Sequence, residues 1–172
     1  MTATAAAPAA FSLKQQFLDS LTREHATTMK MLRAFPAARA DFKPHDRSSS
    51  ARQLAWTFVM EQVLMTGAVT DQLKLSGKFP PAPESFDAIV DQFSKDYEQL
   101  VALIEATPDE RLTGTVKFFT GPGKMGDVPK MDVLWFALSD QIHHRGQLSV
   151  YVRMAGGKVP STYGPSADEP WS

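Results

Sequence analysis

The sequence predicts an all-α protein, a four-helix bundle in which one long connection joins the third and fourth helices. Four long segments repeat their apolar residues at steps of three and four, the spacing of one face of an α-helix. Stretches that contain proline or glycine separate these segments, and such residues do not readily continue a helix. Segments of this length with mostly short links are typical of a helix bundle.

The predicted helices begin and end at residues that favour helix termini. In chain order they span about 12–32, 51–75, 85–106 and 131–154. Pro36 ends the first helix, and the last of three serines before Ala51 can cap the second. Gly77 and the prolines after it end the second helix. Ser85 is suited to cap the third, and a glycine pair follows the fourth.

The connection between helices three and four, residues 107–130, is long for a compact domain. Thr107 and Pro108 favour a short turn of helix at its start, and "TVKFF" followed by "TGPG" is compatible with a short extended segment and a turn. Long connections are often functional. The alternative is that this one only carries the chain along the bundle so that helix four packs beside helix one.

Length and composition favour one cytoplasmic domain and exclude several functions. The chain has 172 residues, with 18 Lys and Arg against 19 Asp and Glu. Without an excess of positive charge, it is not expected to bind nucleic acid or an anionic membrane. The absence of cysteine excludes disulfides and a cysteine nucleophile. We expect residues 1–10 to be disordered and residues 11–172 to form the domain. No secretion signal or membrane-spanning run is recognisable.

Helix four contains a polar cluster within the stretch "SDQIHHRGQLSVYVR". At about 100° per residue, one narrow sector holds Asp140, His144, Gln147 and Tyr151. Apolar neighbours border this sector, so we expect it to line the bundle interior, whereas His143 points elsewhere. A carboxylate and an imidazole one turn apart can bind one divalent cation. The alternative is a carboxylate that fixes the tautomer of a buried imidazole without metal.

Helix two supplies a matching feature, because Thr57 and Glu61 share a sector with apolar residues. A glutamate on an apolar stripe is costly unless it is paired, protonated or bound to a cation. Glu61 is therefore a metal ligand, an acid–base group, or the partner of Arg145 or His144. His25 on the apolar face of helix one is a lesser candidate, since a lone histidine there is usually a core residue.

Two strings resemble the DinB/YfiT-like superfamily: "HHRGQLSVYVRMAGGKVPSTYG" resembles the end of its members, and "SARQLAWTFVMEQ" resembles their second helix. The resemblance covers residues 12–165. It implies an up-down-down-up four-helix bundle, often dimeric, in which three histidines bind a divalent metal such as nickel or zinc. One histidine comes from the second helix and two lie one turn apart on the last. Some relatives transfer small thiols or isomerise substrates with thiol cofactors.

When the resemblance is carried over position by position, only one of the three ligand positions holds a histidine in this sequence. His144 matches the final histidine, while Asp140 and Thr57 stand where the family commonly has the other two. Glu61 matches an acidic position one turn after Thr57. The resemblance thus implies one divalent ion (Ni, Zn, Mn or Fe), and the Asp, Glu and His ligands favour Mn, Mg or Fe(II) over nickel. A metal-free hydrogen-bonded cluster is the alternative.

Two functions follow from these expectations. The first is a hydrolase-like or thiol-transferase-like enzyme that acts on a small molecule between helices two and four, with His144 and Glu61 as catalytic residues. Its metal ligands are Asp140, His144 and Glu61, and its pocket residues are Thr57, Arg145, Gln147 and Tyr151. The second is a non-catalytic, metal-free dimeric bundle that binds a small molecule.

A second apolar sector on helix four predicts a homodimer. The sector lies opposite the polar cluster and contains Met131, Leu138 and Ile142, with Trp135 beside it. One helix of a bundle needs only one broad apolar stripe. This sector must therefore be covered by the loop at 112–130, by the C-terminal tail, or by a second copy of the chain.

Overall fold

The computed structural model describes residues 12–75 and 80–171, and most of them are helical. The helices are α1 (Leu13–Ala34), α2 (Ala51–Thr70), α3 (Phe86–Ala106), the short α4 (Asp109–Leu112) and α5 (Lys130–Met154). Strands β1 (Thr115–Gly121) and β2 (Lys124–Pro129) form an antiparallel hairpin between α4 and α5. The predicted helical fold is confirmed, but the all-α prediction lacked this hairpin. The segment predicted to be disordered, 1–10, lies outside the described residues.

Serine side chains cap the three long helices that precede α5. The hydroxyls of Ser12, Ser50 and Ser85 each accept the backbone N–H group three residues later. Each cap satisfies a donor that the first helical turn leaves unpaired. At the start of α2 the side chain of Gln53 also accepts the backbone N–H of Ser50 and completes a capping box. The predicted serine caps of the second and third helices are confirmed.

Helix α2 ends at Thr70, earlier than the predicted end at Leu75. Asp71 adopts the left-handed conformation with φ of 62°, which stops the helix. The chain then folds back so closely that a Cβ atom on Gly67 would lie 3.1 Å from the Cα of Leu73. A glycine inside the last turn therefore allows the reversal, and the helix ends before the glycine and proline residues that predicted its terminus.

The long connection is built from α4 and the hairpin, and it packs on the bundle. Val116 and Phe118 of β1 join a buried apolar cluster with Ala68 of α2 and Val133 of α5. The hairpin thereby covers one end of both helices and leads the chain into α5, which contacts α1 and α2. This packing gives the connection a structural role. The predicted short helix and extended segment within it are both present.

The second apolar sector of α5 packs partly against other helices of the same chain. Leu138 is 2% exposed, and Met131, Trp135 and Ile142 pack against the same apolar cluster, which includes residues of α1 and α3. The ring of Trp135 meets that of Phe17 edge-on, with centroids 5.2 Å apart. Residues of α1, α3 and Leu112 of the connection therefore bury Leu138, whereas Met131, Trp135 and Ile142 are only partly buried. That a second copy of the chain covers the rest of this sector stays a prediction.

Helices α2 and α5 pack along each other, and α3 contacts both α1 and α2. This arrangement brings the polar residues of α2 and α5 to the same level of the bundle. Within the described ranges, no helix has the combined length and hydropathy that a membrane crossing requires.

Candidate metal centre

Three side chains from α2 and α5 meet at one point. Glu61 of α2 and Asp140 and His144 of α5 each offer a ligand atom, and these atoms lie within 4.8 Å of one another. Nδ1 of His144 is 2.8 Å from Oε1 of Glu61 and 3.9 Å from Oδ2 of Asp140. The structure thus brings together the three residues predicted as metal ligands. Their part in metal binding and catalysis stays a prediction.

Helix geometry explains the cluster. Asp140 and His144 are one turn apart on α5 and therefore lie on the same side of it. Glu61 reaches them from α2, the helix packed alongside. Between the two helices, Nε2 of Gln141 donates to the carbonyl oxygen of Phe58 at 3.4 Å. The ring of Phe58 also stands edge-on to the imidazole of His144, which helps to fix the imidazole plane.

Glu61 is a buried carboxyl with one unpaired oxygen. The residue is 8% exposed, and its Oε2 atom has no hydrogen-bond partner among the described residues. Burial raises the pKa of Glu61 to about 8, although the hydrogen bond from His144 opposes this shift. A buried polar atom without a partner costs free energy. A bound cation is one partner that removes this cost.

His144 is coupled to the same carboxyl. The hydrogen bond to Glu61 raises the pKa of His144, while burial of the imidazole opposes this. The pair consequently holds a proton between Nδ1 and Oε1 to a higher pH than either group would alone. A metal ion must displace that proton, because it binds neutral imidazole and ionised carboxylate.

The donor atoms suit a divalent cation, and small side-chain shifts would bring their spacing to the distances that one ion requires. Atoms bound about 2.1 Å from one ion, at tetrahedral or octahedral angles, are roughly 3.0–3.4 Å apart. The two distances from Nδ1 of His144, 2.8 and 3.9 Å, lie on either side of this range. Carboxylate oxygens with one imidazole nitrogen suit Mn²⁺ or Fe²⁺. Three protein ligands would also leave coordination positions on the ion free for water or substrate.

A cleft of about 410 Å³ opens beside His144. Its lining residues are Ser48, Ser49, Leu54, Thr57, His144, Gln147, Val150 and Tyr151. Three of the four predicted pocket residues are among them. The hydroxyl of Thr57 donates within α2, to the carbonyl of Leu54 at 2.5 Å, and that of Tyr151 donates to the carbonyl of Ser49 at 2.9 Å. Apart from His144, no titratable acid or base lines the cleft among the described residues, and Tyr151 alone adds a phenol.

Arg145 lies away from this cleft, so its predicted place in the pocket is wrong. It is 3% exposed and pairs with Glu24 of α1 at 2.8 Å. Its guanidinium also donates to the hydroxyls of Thr28 and of Tyr163 in the C-terminal tail. The Tyr163 hydroxyl in turn donates to Glu24 at 2.6 Å. Arg145 therefore joins α1, α5 and the tail, a network that helical spacing alone did not indicate.

The other histidines lie outside the cluster. The ring of His25 stacks on that of Tyr97, with centroids 3.7 Å apart, and burial lowers the pKa of His25 to about 4. His143 is exposed and forms a hydrogen bond with Gln147 at 2.8 Å. His144 is thus the one imidazole in the cluster within the described part of the chain, as the spacing predicted.

Sequence comparison assigns the chain to a family. The model of the DinB family matches residues 3–171. The chain belongs to the DinB family. Uncharacterized protein YrdA of Bacillus subtilis (strain 168) is 28% identical to it over 164 residues, which are 92% of this chain and 93% of that protein. The resemblance carried by the "HHRGQ" string is confirmed.

Solved structures of DinB-like proteins resemble this DinB family member. A DinB-like protein from Bacillus cereus ATCC 10987 has a TM-score of 0.72 and 28% identity, over 87% of this chain and 97% of that one. The DinB-like protein YjoA from Bacillus subtilis has a TM-score of 0.64 and 20% identity, over 86% of this chain and 97% of that one. The second similarity shows a shared fold alone.

Proposed function

We propose that this DinB family protein binds one divalent metal ion through Glu61, Asp140 and His144 and acts on a small uncharged molecule in the adjoining cleft. The observation that carries the proposal is the buried carboxyl of Glu61. One of its oxygens bonds to His144, the other has no partner among the described residues, and a second carboxylate lies close by. A cation would compensate the buried carboxyl of Glu61, which water does not reach, together with the partly exposed Asp140.

The residues of the cleft suggest the class of reaction. When bound, a divalent ion polarises a substrate carbonyl or lowers the pKa of a water molecule. Thr57 and Gln147 lie in the cleft wall with His144 and can orient a substrate by hydrogen bonds. The wall holds no Lys, Arg, Asp or Glu side chain among the described residues, which favours a neutral substrate. Hydrolysis, or transfer of a group to a thiol, suits this environment.

A metal-free dimeric bundle that binds a small molecule is the second candidate. The hydrogen bond between Glu61 and His144 favours it, because a protonated Glu61 bonded to His144 needs no cation. In this case the acid–base pair serves to bind a ligand in the cleft rather than to transform it.

We also propose a homodimer, formed through the outer face of α5. Phe136 and Val150 are each more than half exposed on this helix, and we assign them to the partner surface. A second copy in a two-fold arrangement is the commonest partner for such a face.

The contacts of α2 with α3 and α5, and of α1 with α3 and α5, support an up-down-down-up order of the long helices.

Metal analysis separates the two candidate functions. Protein purified without chelator is assayed for bound metal and then titrated with Mn²⁺, Fe²⁺, Ni²⁺ and Zn²⁺. The proposal expects stoichiometric binding that is lost in Glu61→Gln and in His144→Ala. The matched control is His143→Ala, which removes an exposed imidazole outside the cluster and should retain the ion. A folded protein that binds no metal under any of these conditions supports the second candidate.

A further inference from the structure

A buried glutamine on α2 lacks hydrogen-bond partners. Gln62 is 1% exposed, and neither Nε2 nor Oε1 of its amide has a partner among the described residues. Burying an amide with both polar atoms unpaired is unfavourable. Gln62 follows Glu61 in the chain and is turned from it by about 100° around the helix axis. It therefore points away from the candidate metal centre, towards the side of α2 that packs on α3.

A cavity of about 250 Å³ lies beside Gln62, between α2 and α3. The other lining residues are Val63, Thr66, Asp96, Gln99 and Leu103. Oδ1 of Asp96 accepts a hydrogen bond from Gln92 at 2.6 Å, whereas its Oδ2 takes part in no hydrogen bond among the described residues. The cavity is smaller than the roughly 300–1,000 Å³ of pockets for drug-sized ligands, so it suits a small molecule.

We propose that this cavity is a second binding site, for a small molecule with a primary carboxamide or urea group. Both amide atoms of Gln62 are buried, so a small rotation of the side chain would turn them into the cavity, where they offer an N–H donor and a carbonyl acceptor side by side. A ligand carboxamide presents the complementary acceptor and donor, so the two groups can form a cyclic pair of hydrogen bonds. Its second N–H can donate to Oδ2 of Asp96. Val63 and Leu103 provide apolar walls for a short alkyl group.

The lining residues also argue against other ligands. Asp96 is the only formally charged residue among them, and it would repel a carboxylate or phosphate. An ammonium group could pair with Asp96 but offers no acceptor to Nε2 of Gln62. This site shares no lining residue with the cleft beside His144. Occupation of one site is therefore separable from occupation of the other.

Titration of ¹⁵N-labelled protein with butyramide tests the proposal. We expect a saturable shift of the Gln62 side-chain NH₂ resonance and a rise in the thermal midpoint that depends on ligand concentration. Butanone keeps the carbonyl without N–H, and butylammonium keeps N–H donors without the carbonyl. Each should bind at least about tenfold more weakly than butyramide, because each leaves one atom of the Gln62 amide unpaired.

Variants locate the binding. Gln62→Leu should abolish the rise in midpoint, and Asp96→Ala should weaken binding, whereas Gln15→Leu on the exposed face of α1 should leave it unchanged. The proposal is overturned if butyramide gives no saturable shift, if butanone acts equally well, or if Gln62→Leu responds like the unmodified protein. If Gln62→Leu does not fold, the ligand series on the unmodified protein and on Asp96→Ala decides the outcome.

Discussion

Nδ1 of His144 lies 2.8 Å from Oε1 of Glu61, so α2 and α5 share a hydrogen bond at the candidate metal centre between residues 83 positions apart in the chain. The proton in this bond and a metal ion compete for the same two atoms. This competition makes both the stability of the protein and its affinity for metal depend on pH.

The metal-free protein should lose stability as the pH rises from about 5 to about 8. Burial raises the pKa of Glu61 to about 8, whereas an unfolded glutamate titrates near 4.3. The folded chain thus binds a proton that the unfolded chain has released, and this contribution disappears as the pH passes the folded pKa. The raised pKa of His144 acts in the same direction but concerns the same shared proton, since its cause is the hydrogen bond to Glu61. The expected slope is at most about 1.4 kcal/mol per pH unit for each proton.

Urea unfolding in the presence of a chelator measures this slope. The Glu61→Gln variant is the control, since its amide does not titrate, and its stability should change much less over the same range. An unmodified protein with no more pH dependence than Glu61→Gln would show that Glu61 is already ionised in the folded chain.

Metal affinity should rise with pH over the same range. Each ion bound must release the proton held between Glu61 and His144, so the affinity increases by up to about tenfold per pH unit. Calorimetric titration with Mn²⁺ in two buffers of different ionisation enthalpy measures the number of protons released. An affinity that is independent of pH, with no proton released, contradicts the proposed ligand set.

The native ligand set should bind nickel and zinc weakly. Imidazole is a better ligand than carboxylate for both metals, and this cluster contains one imidazole. The double variant Thr57→His with Asp140→His restores the family's histidine pattern and should bind nickel more tightly by an order of magnitude or more. Competition with a chromogenic chelator measures both proteins. Nanomolar nickel binding by the unmodified protein would refute this expectation.

Arg145→Leu should lower the free energy of unfolding by about 3–5 kcal/mol, because it leaves the carboxylate of Glu24 buried without a cation. The double variant Arg145→Leu with Glu24→Leu should recover much of this loss, since it buries no unpaired charge. Denaturant unfolding measures both. Metal stoichiometry should be unchanged in any of these variants that folds. Loss of metal from a folded Arg145→Leu variant would show that Arg145 does contribute to the metal site.

Substitutions on two faces of α5 distinguish the proposed dimer surface from the apolar sector that packs against α1. Phe136→Asp with Val150→Asp should yield a folded monomer, since both residues are about half exposed. Leu138→Asp should instead unfold the protein, because Leu138 lies in the core. Light scattering and circular dichroism distinguish these outcomes. An unmodified protein that is monomeric at tens of micromolar ends the homodimer proposal.

Local spacing predicted much of the site. Asp140 and His144 lie one turn apart, and Glu61 interrupts an apolar stripe, so their meeting followed once α2 and α5 were neighbours. The burial of Arg145 did not follow, because spacing gives its angle on α5 but not which helix that angle faces. Its partner Tyr163 comes from a tail without periodicity. These contacts depend on tertiary packing, and a reading of one segment at a time cannot supply them.

The sequence did not predict the early end of α2 for a related reason. Gly67 mattered because Leu73 returns to within contact distance of it, a relationship between a helix and the chain that leaves it. The hairpin was only suggested by its sequence, since two short strands gain stability from packing on the bundle rather than from their own propensity.

The pairing of both buried glutamates with consecutive residues of α5 has a consequence for biosynthesis. Glu24 and Glu61 are synthesised before α5, the helix that carries their partners Arg145 and His144. A nascent chain that collapsed before α5 emerged would enclose the carboxyl groups of Glu24 and Glu61 without their partners, which is costly for the charged Glu24 above all. Collapse of the chain before α5 is synthesised is therefore unfavourable in free energy. A nascent chain that still lacks α5 should stay open to chaperones, and the bundle should close once α5 is present.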